Sequence, residues 1–259
     1  MDTTDKAKEF YDAQYQGETY AANSQAQQHN AQAGLQKFID TYELRTRKCL
    51  EIGCGRGAFQ DLVDDYTGVD YADSVRPYLR KPFVQASAAE LPFEDNTFDA
   101  AWTIWVFEHI PEMERALEET RRVLKPGGLL YFNPAWQCRS WAAKGYPVRP
   151  YSDFGLGGKL IKASIPLRNS VAWRAMGMFP RRVMRAMAAR SGRPLPLKIR
   201  TLEANFEHFW MSDSDAVNSI DPYETMLWFV TRGDEILSHP TPRSRFLVRG
   251  GAQVVRINK

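Results

Sequence analysis

Between residues 31 and 134, apolar positions follow two alternating periods. Residues 31–45 place Leu35, Phe38, Ile39 and Tyr42 on one stripe, as a helix burying a single face would. Lys48–Ile52 reads as a short buried strand that runs into Gly53-Cys54-Gly55-Arg56-Gly57, and a helical stretch is expected from Ala58 to about Asp64. Thr67–Tyr71, Phe83–Ser87 and Phe98–Ile104 read as further strands, and the apolar run of the last suits the centre of a parallel sheet. Pro111 then opens a helix with Met113, Ala116, Leu117, Thr120 and Leu124 on one face. Lys125-Pro126-Gly127-Gly128 breaks it, and Leu129–Asn133 is a fifth strand. Strand and helix alternate from 48 to 134, which predicts an α/β, doubly wound sheet.

The flanks read differently. Residues 1–30 are polar, rich in Gln, Asn and Ala, with Tyr11, Tyr15 and Tyr20 among them; they suggest an arm or lid of weak helical tendency. After residue 138 the alternation stops, and 139–200 holds scattered Pro and Gly with two basic, Met-rich segments. Asp221-Pro222-Tyr223-Glu224 has the N-cap, the Pro at N1 and the Glu at N3 of a helix start, and Gly233 is placed to end that helix. Asp234–Ser238 and a hairpin around Gly250-Gly251 are expected to close the sheet. The chain thus divides into an arm (1–30), a core (31–138), an insertion (139–210), and a closing helix with strands (211–259).

Composition narrows the class. Of 259 residues, 44% are hydrophobic and 25% charged, which excludes a largely disordered chain. No apolar run approaches the roughly 20 residues of a membrane span. The start MDTTDKAKEF does not look like a secretory signal, and three cysteines (Cys49, Cys54, Cys138) do not make a disulfide framework or a zinc site. A cytoplasmic protein is expected. Its net charge of +3 hides a segregation: −8 over residues 1–138, +13 over 139–200 and −2 over 201–259, with Asp153 the single acid of the middle stretch.

That basic stretch has three readings. Arg174, Arg181, Arg182, Arg185 and Arg190 alternate with Trp173, Met176, Met178, Phe179, Met184 and Met187. The plainest is an amphipathic cap whose Met face packs on the domain while its arginines stay in water. The second is peripheral contact of 170–193 with an anionic membrane or a lipid-linked substrate. The third, nucleic acid, ranks last because the first 138 residues are acidic and no nucleic-acid module is visible.

The chemistry concentrates in Glu51-Ile52-Gly53-Cys54-Gly55-Arg56-Gly57, with Asp70 one βα unit later. Glycines at a strand-to-helix turn let backbone approach a ligand, and an acid after the second strand can accept from both ribose hydroxyls. The pattern E-x-G-x-G-x-G departs from the G-x-G-x-x-G of dinucleotide sites, which argues against a nicotinamide oxidoreductase. Asp70 could instead cap a helix, but the glycine loop upstream favours the ribose role.

Here the sequence resembles class I S-adenosylmethionine-dependent methyltransferases of the type 11 kind. The residues that carry it are CLEIGCGRGAF (49–59), GVDYADS (68–74), ASAAELPFEDNTFDAAW (86–102), EHIP (108–111) and RVLKPGGLLYF (122–132), in the family's order. The resemblance implies a Rossmann-like, seven-stranded sheet with a helical, substrate-capping insertion, and S-adenosyl-L-methionine as cofactor. It implies that Gly53, Cys54 and Gly55, with Glu51 behind, lie against the methionine part of the cofactor. Asp70 would hold the ribose and Tyr71 border the adenine. Ser87 and Ala88 would meet the adenine edge, with Ser87 standing where the family often has an acid. Thr103, Ile104 and Trp105 would line the methyl-donor pocket, and Tyr15 would cover the sulfonium, which an aromatic face can stabilise.

A hydroxyl acceptor also needs a base, and Glu108-His109 stands where one is wanted. His109 could equally pack or cap the following helix. Some metal-assisted relatives have E-x-x-E-H here; this chain has Trp105 at the first position, so no metal is expected. Phe206, His208, Trp210, Asp213 and Asp215 are further substrate-side candidates, although such loose acidic groups are usually solvated loop or cap residues. The expected activity is methylation of a small-molecule hydroxyl, on a saccharide or another metabolite, with a lipid-linked acceptor as one form. A non-catalytic cofactor-binding scaffold and an N- or C-methyltransferase stay open.

Overall fold

A computed structural model describes residues 3–17 and 31–259, with side chains from Ala7 onward. Tyr20, named above with the arm, lies outside them. The central sheet has seven strands in the order β3-β2-β1-β4-β5-β9-β8. These are β1 (Lys48–Ile52), β2 (Asp65–Asp70), β3 (Phe83–Gln85), β4 (Phe98–Ile104), β5 (Leu124–Asn133), β8 (Glu235–Ile236) and β9 (Gln253–Arg256). β1 to β5 pair in parallel, while β9 runs antiparallel to both β5 and β8. The chain order reverses between β1 and β4, the switch point outside whose carboxyl ends ligands bind in such sheets.

Two apolar layers cover the sheet. On one face, α2 (Gln32–Thr41) buries Leu35, Phe38 and Ile39 against Ala100, Trp102 and Ile104 of β4. On the other, α3 (Met113–Val123) and α6 (Pro222–Val230) bury Met113, Ala116, Leu117, Met226 and Phe229 against Ala101 and Phe132. Asp221 caps α6 by accepting from the Tyr223 N–H at 3.0 Å, as its sequence foretold.

Three expectations need correction. The stretch from Ala58 to Asp64 is a run of turns and bends rather than a helix. Its bonds span three residues (Gln60 to Gly57, Leu62 to Phe59), and Gly57 holds φ at 70°, so no helical ladder starts. β5 begins at Leu124, directly after α3, and passes through Lys125-Pro126-Gly127-Gly128 with a register irregularity against β4. Gly250-Gly251 does not turn a tight hairpin; β8 and β9 are joined through α7 (Pro242–Phe246), and Gly251 at φ 85° leads into β9.

The insertion inverts its expected amphipathicity. It forms α4 (Leu156–Asn169) and α5 (Val171–Ala189). In α5 the buried side chains are Arg182 and Arg185, whereas Met176 is 70% and Met184 60% exposed. The reason lies on α6. Asp221 meets Arg181 and Arg182, and Glu224 meets Arg185 at 2.8 Å, so the guanidinium groups find carboxylates inside and turn the apolar face outward. A short two-stranded sheet, β6 (Arg200–Thr201) with β7 (Asn218–Ser219), ties the end of the insertion to the following segment.

Candidate active site

The turn after β1 is built on backbone. Gly53 and Cys54 donate their N–H groups to the Val69 carbonyl at 2.8 and 3.0 Å, which docks the loop on β2. Gly53 sits at φ 74°, and a Cβ there would lie 2.2 Å from a Val106 methyl, so no other residue fits without displacement. Gly55, at φ 48°, points its N–H at Asp70 and donates to Oδ2 at 2.9 Å. The Ala72 N–H donates to Oδ1 at 3.0 Å. The carboxylate is buried, which pushes its pKa up against these two donors. Behind the loop, the Tyr66 hydroxyl donates to Glu51 at 2.5 Å, and burial lifts the Glu51 carboxyl to about 8. Cys54 is a buried free thiol whose pKa burial raises; it fills space.

The other named positions gather along the same carboxyl ends. The Ala86 N–H donates to the Asp70 carbonyl at 3.0 Å, which sets half-buried Ser87 and Ala88 beside it. The Ser87 hydroxyl accepts from the Ala89 N–H, and the half-buried Tyr71 offers its carbonyl to Gln85. Thr103 and Ile104 are buried at the end of β4, and the Thr103 hydroxyl has no hydrogen bond among the described residues. Trp105 turns the chain at φ 56°, with its N–H on the Asn133 carbonyl at 2.9 Å and its side chain 44% exposed. An aromatic residue in left-handed backbone is uncommon and marks a constrained site.

Beyond Trp105, Phe107–His109 forms a tight 3-10 turn. Glu108 is fully buried, its carbonyl locked by the Val217 N–H at 2.9 Å. Neither oxygen of its carboxylate has an aligned hydrogen bond among the described residues. Burial lifts its pKa to about 7. The imidazole of His109 lies between two acids, Nε2 at 3.6 Å from Glu108 and Nδ1 at 3.3 Å from Asp215, with Nδ1 also lacking an aligned bond among the described residues. Burial disfavours the imidazolium, but the charges of Glu108 and Asp215 outweigh it and raise the His109 pKa.

The arm joins the two sides. α1 (Thr3–Gln14) places the Tyr11 hydroxyl 2.8 Å from Asp215 and the Tyr11 ring edge-on to His109 at 5.9 Å. After the helix, the Tyr15 hydroxyl donates to Asp70 at 3.3 Å, and the Tyr15 carbonyl accepts from Arg56 at 2.6 Å. Tyr15 thus meets the carboxylate expected to hold ribose. Phe10 packs against Phe206 at 5.7 Å, and Asp12 accepts from the Ser74 N–H. The solvated placement expected for Asp215 is overturned, since it is buried against His109 and Tyr11. His208 and Trp210 stack on each other at 5.3 Å in an exposed segment. Tyr11 is thus added to the site, and Asp215 becomes a partner of His109. The four-residue spacing of Tyr11 and Tyr15 was their only local signal.

A buried acid facing a glycine turn at the switch point of a doubly wound sheet is the arrangement α/β domains use to bind nucleosides. Residues 50–132 match the family described as a methyltransferase domain. Among curated relatives, the sterol 4-C-methyltransferase of Caenorhabditis elegans is 36% identical over 95 residues, 31% of this chain and 28% of that protein. The phthiotriol/phenolphthiotriol dimycocerosates methyltransferase 1 of Mycobacterium ulcerans is 29% identical over 138 residues, 46% and 51% of the two chains. The chain thus spans about half or less of the length of these relatives. Among solved structures, a putative S-adenosyl-L-methionine-dependent methyltransferase of Methanococcus maripaludis aligns with a TM-score of 0.37 at 16% identity, covering 71% of this chain and 83% of that one.

Proposed function

We propose that this protein transfers a methyl group from S-adenosylmethionine to a hydroxyl of a small-molecule acceptor, a saccharide or another metabolite carried on a lipid. When bound, the cofactor supplies an electrophilic methyl on a sulfonium. Glu51, Gly53, Cys54, Gly55, Asp70, Tyr71, Ser87, Ala88, Thr103, Ile104, Trp105 and Tyr15 form the set proposed to hold it. The fit rests on the glycine turn, whose left-handed backbone at Gly53 and Gly55 lets the loop pack tightly after β1, and on Asp70, whose carboxylate the Gly55 and Ala72 N–H groups hold beside that loop.

The observation that carries the acceptor side is the pairing of a buried Glu108, neither of whose carboxylate oxygens has an aligned hydrogen bond among the described residues, with the half-buried imidazole of His109. Buried polar atoms without partners cost stability and are kept where a ligand completes them. His109 takes the proton of the acceptor hydroxyl, and Glu108 and Asp215 stabilise the imidazolium that forms. Catalysis is otherwise alignment of two reactants in a closed site, for which α1 and the insertion serve as lid and cap.

The segment 170–193, most of it in α5, would work at a membrane surface from the cytoplasmic side. No helix among the described residues is long and apolar enough to cross a bilayer. A second reading, C-methylation, draws support from the curated sterol and quinone relatives named C-methyltransferases. Product analysis decides between them. Incubation with labelled cofactor and lipid-linked saccharides should give an alkali-stable methyl ether and S-adenosylhomocysteine. Label on carbon would establish the second reading, and cofactor binding without release of S-adenosylhomocysteine for any acceptor would leave a scaffold.

A further inference from the structure

Among the described residues, Arg139, Arg168, Arg174 and Arg200 of the insertion form no ion pair, whereas Arg149, Arg181, Arg182 and Arg185 do. Arg139 and Arg168 share the Trp141 ring, Arg168 and Arg200 line one groove, and burial together with the charges of Arg174, Arg200 and Arg168 lowers the Arg139 pKa. No carboxylate lies within ion-pair distance of any of them among the described residues. Arg139 and Arg168 both lie over the buried Trp141 ring, at 5.4 and 4.8 Å, and Arg174 donates to the Gln137 side-chain oxygen. Elsewhere the protein neutralises its inward arginines: Arg182 has Asp221, Arg185 has Glu224 and Arg121 has Asp234. Two guanidinium groups over one ring, with further arginines beside them, repel one another unless an anion sits among them.

Beside this cluster is an open groove of about 460 Å³, lined by Trp141, Tyr146, Ile161, Arg168, Arg200 and Leu202 among others. The acid of its lining, Glu203, faces Lys144 at 3.8 Å. The groove adjoins a broad apolar surface. α4 leaves Leu156 83% and Leu160 72% exposed, and α5 exposes Val171, Trp173, Met176, Met184 and Met187. Lone exposed apolar residues are ordinary, but a run across two consecutive helices marks an interaction surface. Here its charge neighbours are almost all cationic, which suits an anionic, amphiphilic surface. The loop carrying Trp141 also reaches the segment 205–215, because the Asn205 side-chain amide donates to the Ala143 carbonyl at 2.8 Å.

We propose that Arg139, Arg168, Arg174 and Arg200 form a seat for the phosphate of a lipid, with the exposed faces of α4 and α5 lying in the hydrocarbon boundary of the same layer. This rests on the reading of a lipid-carried acceptor and adds the group recognised. The guanidinium groups take phosphate oxygens as charge-assisted donors, Trp141 provides their floor, and the inverted helix faces supply apolar burial.

The test is sedimentation of the full chain with vesicles of phosphatidylcholine alone or mixed with phosphatidic acid. Wild type should pellet with the anionic vesicles, stay in solution with the neutral ones, and be released by high salt. Arg168→Glu with Arg200→Glu should weaken pelleting by about tenfold or more, since each basic residue near an anionic surface contributes on the order of 1 kcal/mol. Met176→Gln with Met184→Gln should weaken it while leaving the salt dependence intact. Wild type remaining in the supernatant with anionic vesicles, or equal pelleting of the charge-reversed variant, would overturn the proposal. So would a site answering to inorganic phosphate alone, seen as thermal stabilisation by phosphate with no vesicle binding. Titration of both variants with S-adenosylhomocysteine should match wild type. Loss of cofactor binding by wild type itself would count against the methyltransferase reading, independently of the vesicle result.

Discussion

The cofactor side and the acceptor side of this molecule treat buried charge in opposite ways. At Asp70 the chain satisfies its own carboxylate, with donors from Gly55, Ala72 and Tyr15. At Glu108 and His109 it buries titratable groups and leaves their bonds unmade among the described residues. The helices differ in another way, in which residue types they turn inward. α3 follows the usual rule, with Met113, Ala116 and Leu117 inside and its arginines toward the edge. α5 places Arg182 and Arg185 inside and its methionines outside. The Asp70 carboxylate is preorganised by its own donors, and the Glu108 carboxylate is left for a ligand to complete. Preorganisation suits a constant cofactor, while open polar and apolar surface suits a particular acceptor.

The sharpest way to break this contrast is at His109. His109→Gln should lower turnover by about 10²- to 10⁴-fold, the range of a general base, while leaving S-adenosylhomocysteine affinity unchanged. The pH profile gives the sign. The two acids raise the His109 pKa above its ordinary value, so the neutral base is lost as pH falls. kcat/KM in wild type should therefore climb with pH through the neutral region and then level, and the slope should vanish in the variant.

The inverted helix comes next. Removing one partner of a buried pair strands the other, so Arg182→Ala should cost about 3–5 kcal/mol in denaturant unfolding. On the conventional side, Met113→Ala should cost about 2–5 kcal/mol by leaving a cavity. A mild effect of Arg182→Ala would mean that α5 is not docked through its guanidinium groups.

Smaller effects separate lid from scaffold. Tyr15→Phe removes one hydrogen bond to Asp70 and should weaken cofactor binding by about 1 kcal/mol or less, without loss of fold. Smallest of all, Met184→Ser should shift stability by no more than about 0.5 kcal/mol, because that side chain is already in solvent.

The five-strand core was legible because its signals are local: apolar runs of strand length, a glycine turn, and Asp70 one unit downstream. The boundaries of β4 were read correctly from residues 98–104 alone. What escaped depended on partners distant in sequence. Arg182 and Arg185 looked like solvent-facing charges because Asp221 and Glu224, which draw them inside, lie on another helix. Asp215 looked like a loop acid because only the folded chain brings it to His109 and Tyr11. Ala58–Asp64 failed for a local reason, since a glycine in left-handed backbone and three-residue turn bonds leave too little chain to nucleate a helix.

The central claim, that Asp70 and the glycine turn hold S-adenosylmethionine, is tested most directly by calorimetric titration with S-adenosylhomocysteine. Wild type should bind one equivalent, and Asp70→Ala should lose roughly 100-fold in affinity, the loss expected when one charged group gives up two hydrogen bonds. Wild type that does not bind, or an Asp70→Ala variant that binds equally well, would contradict the account.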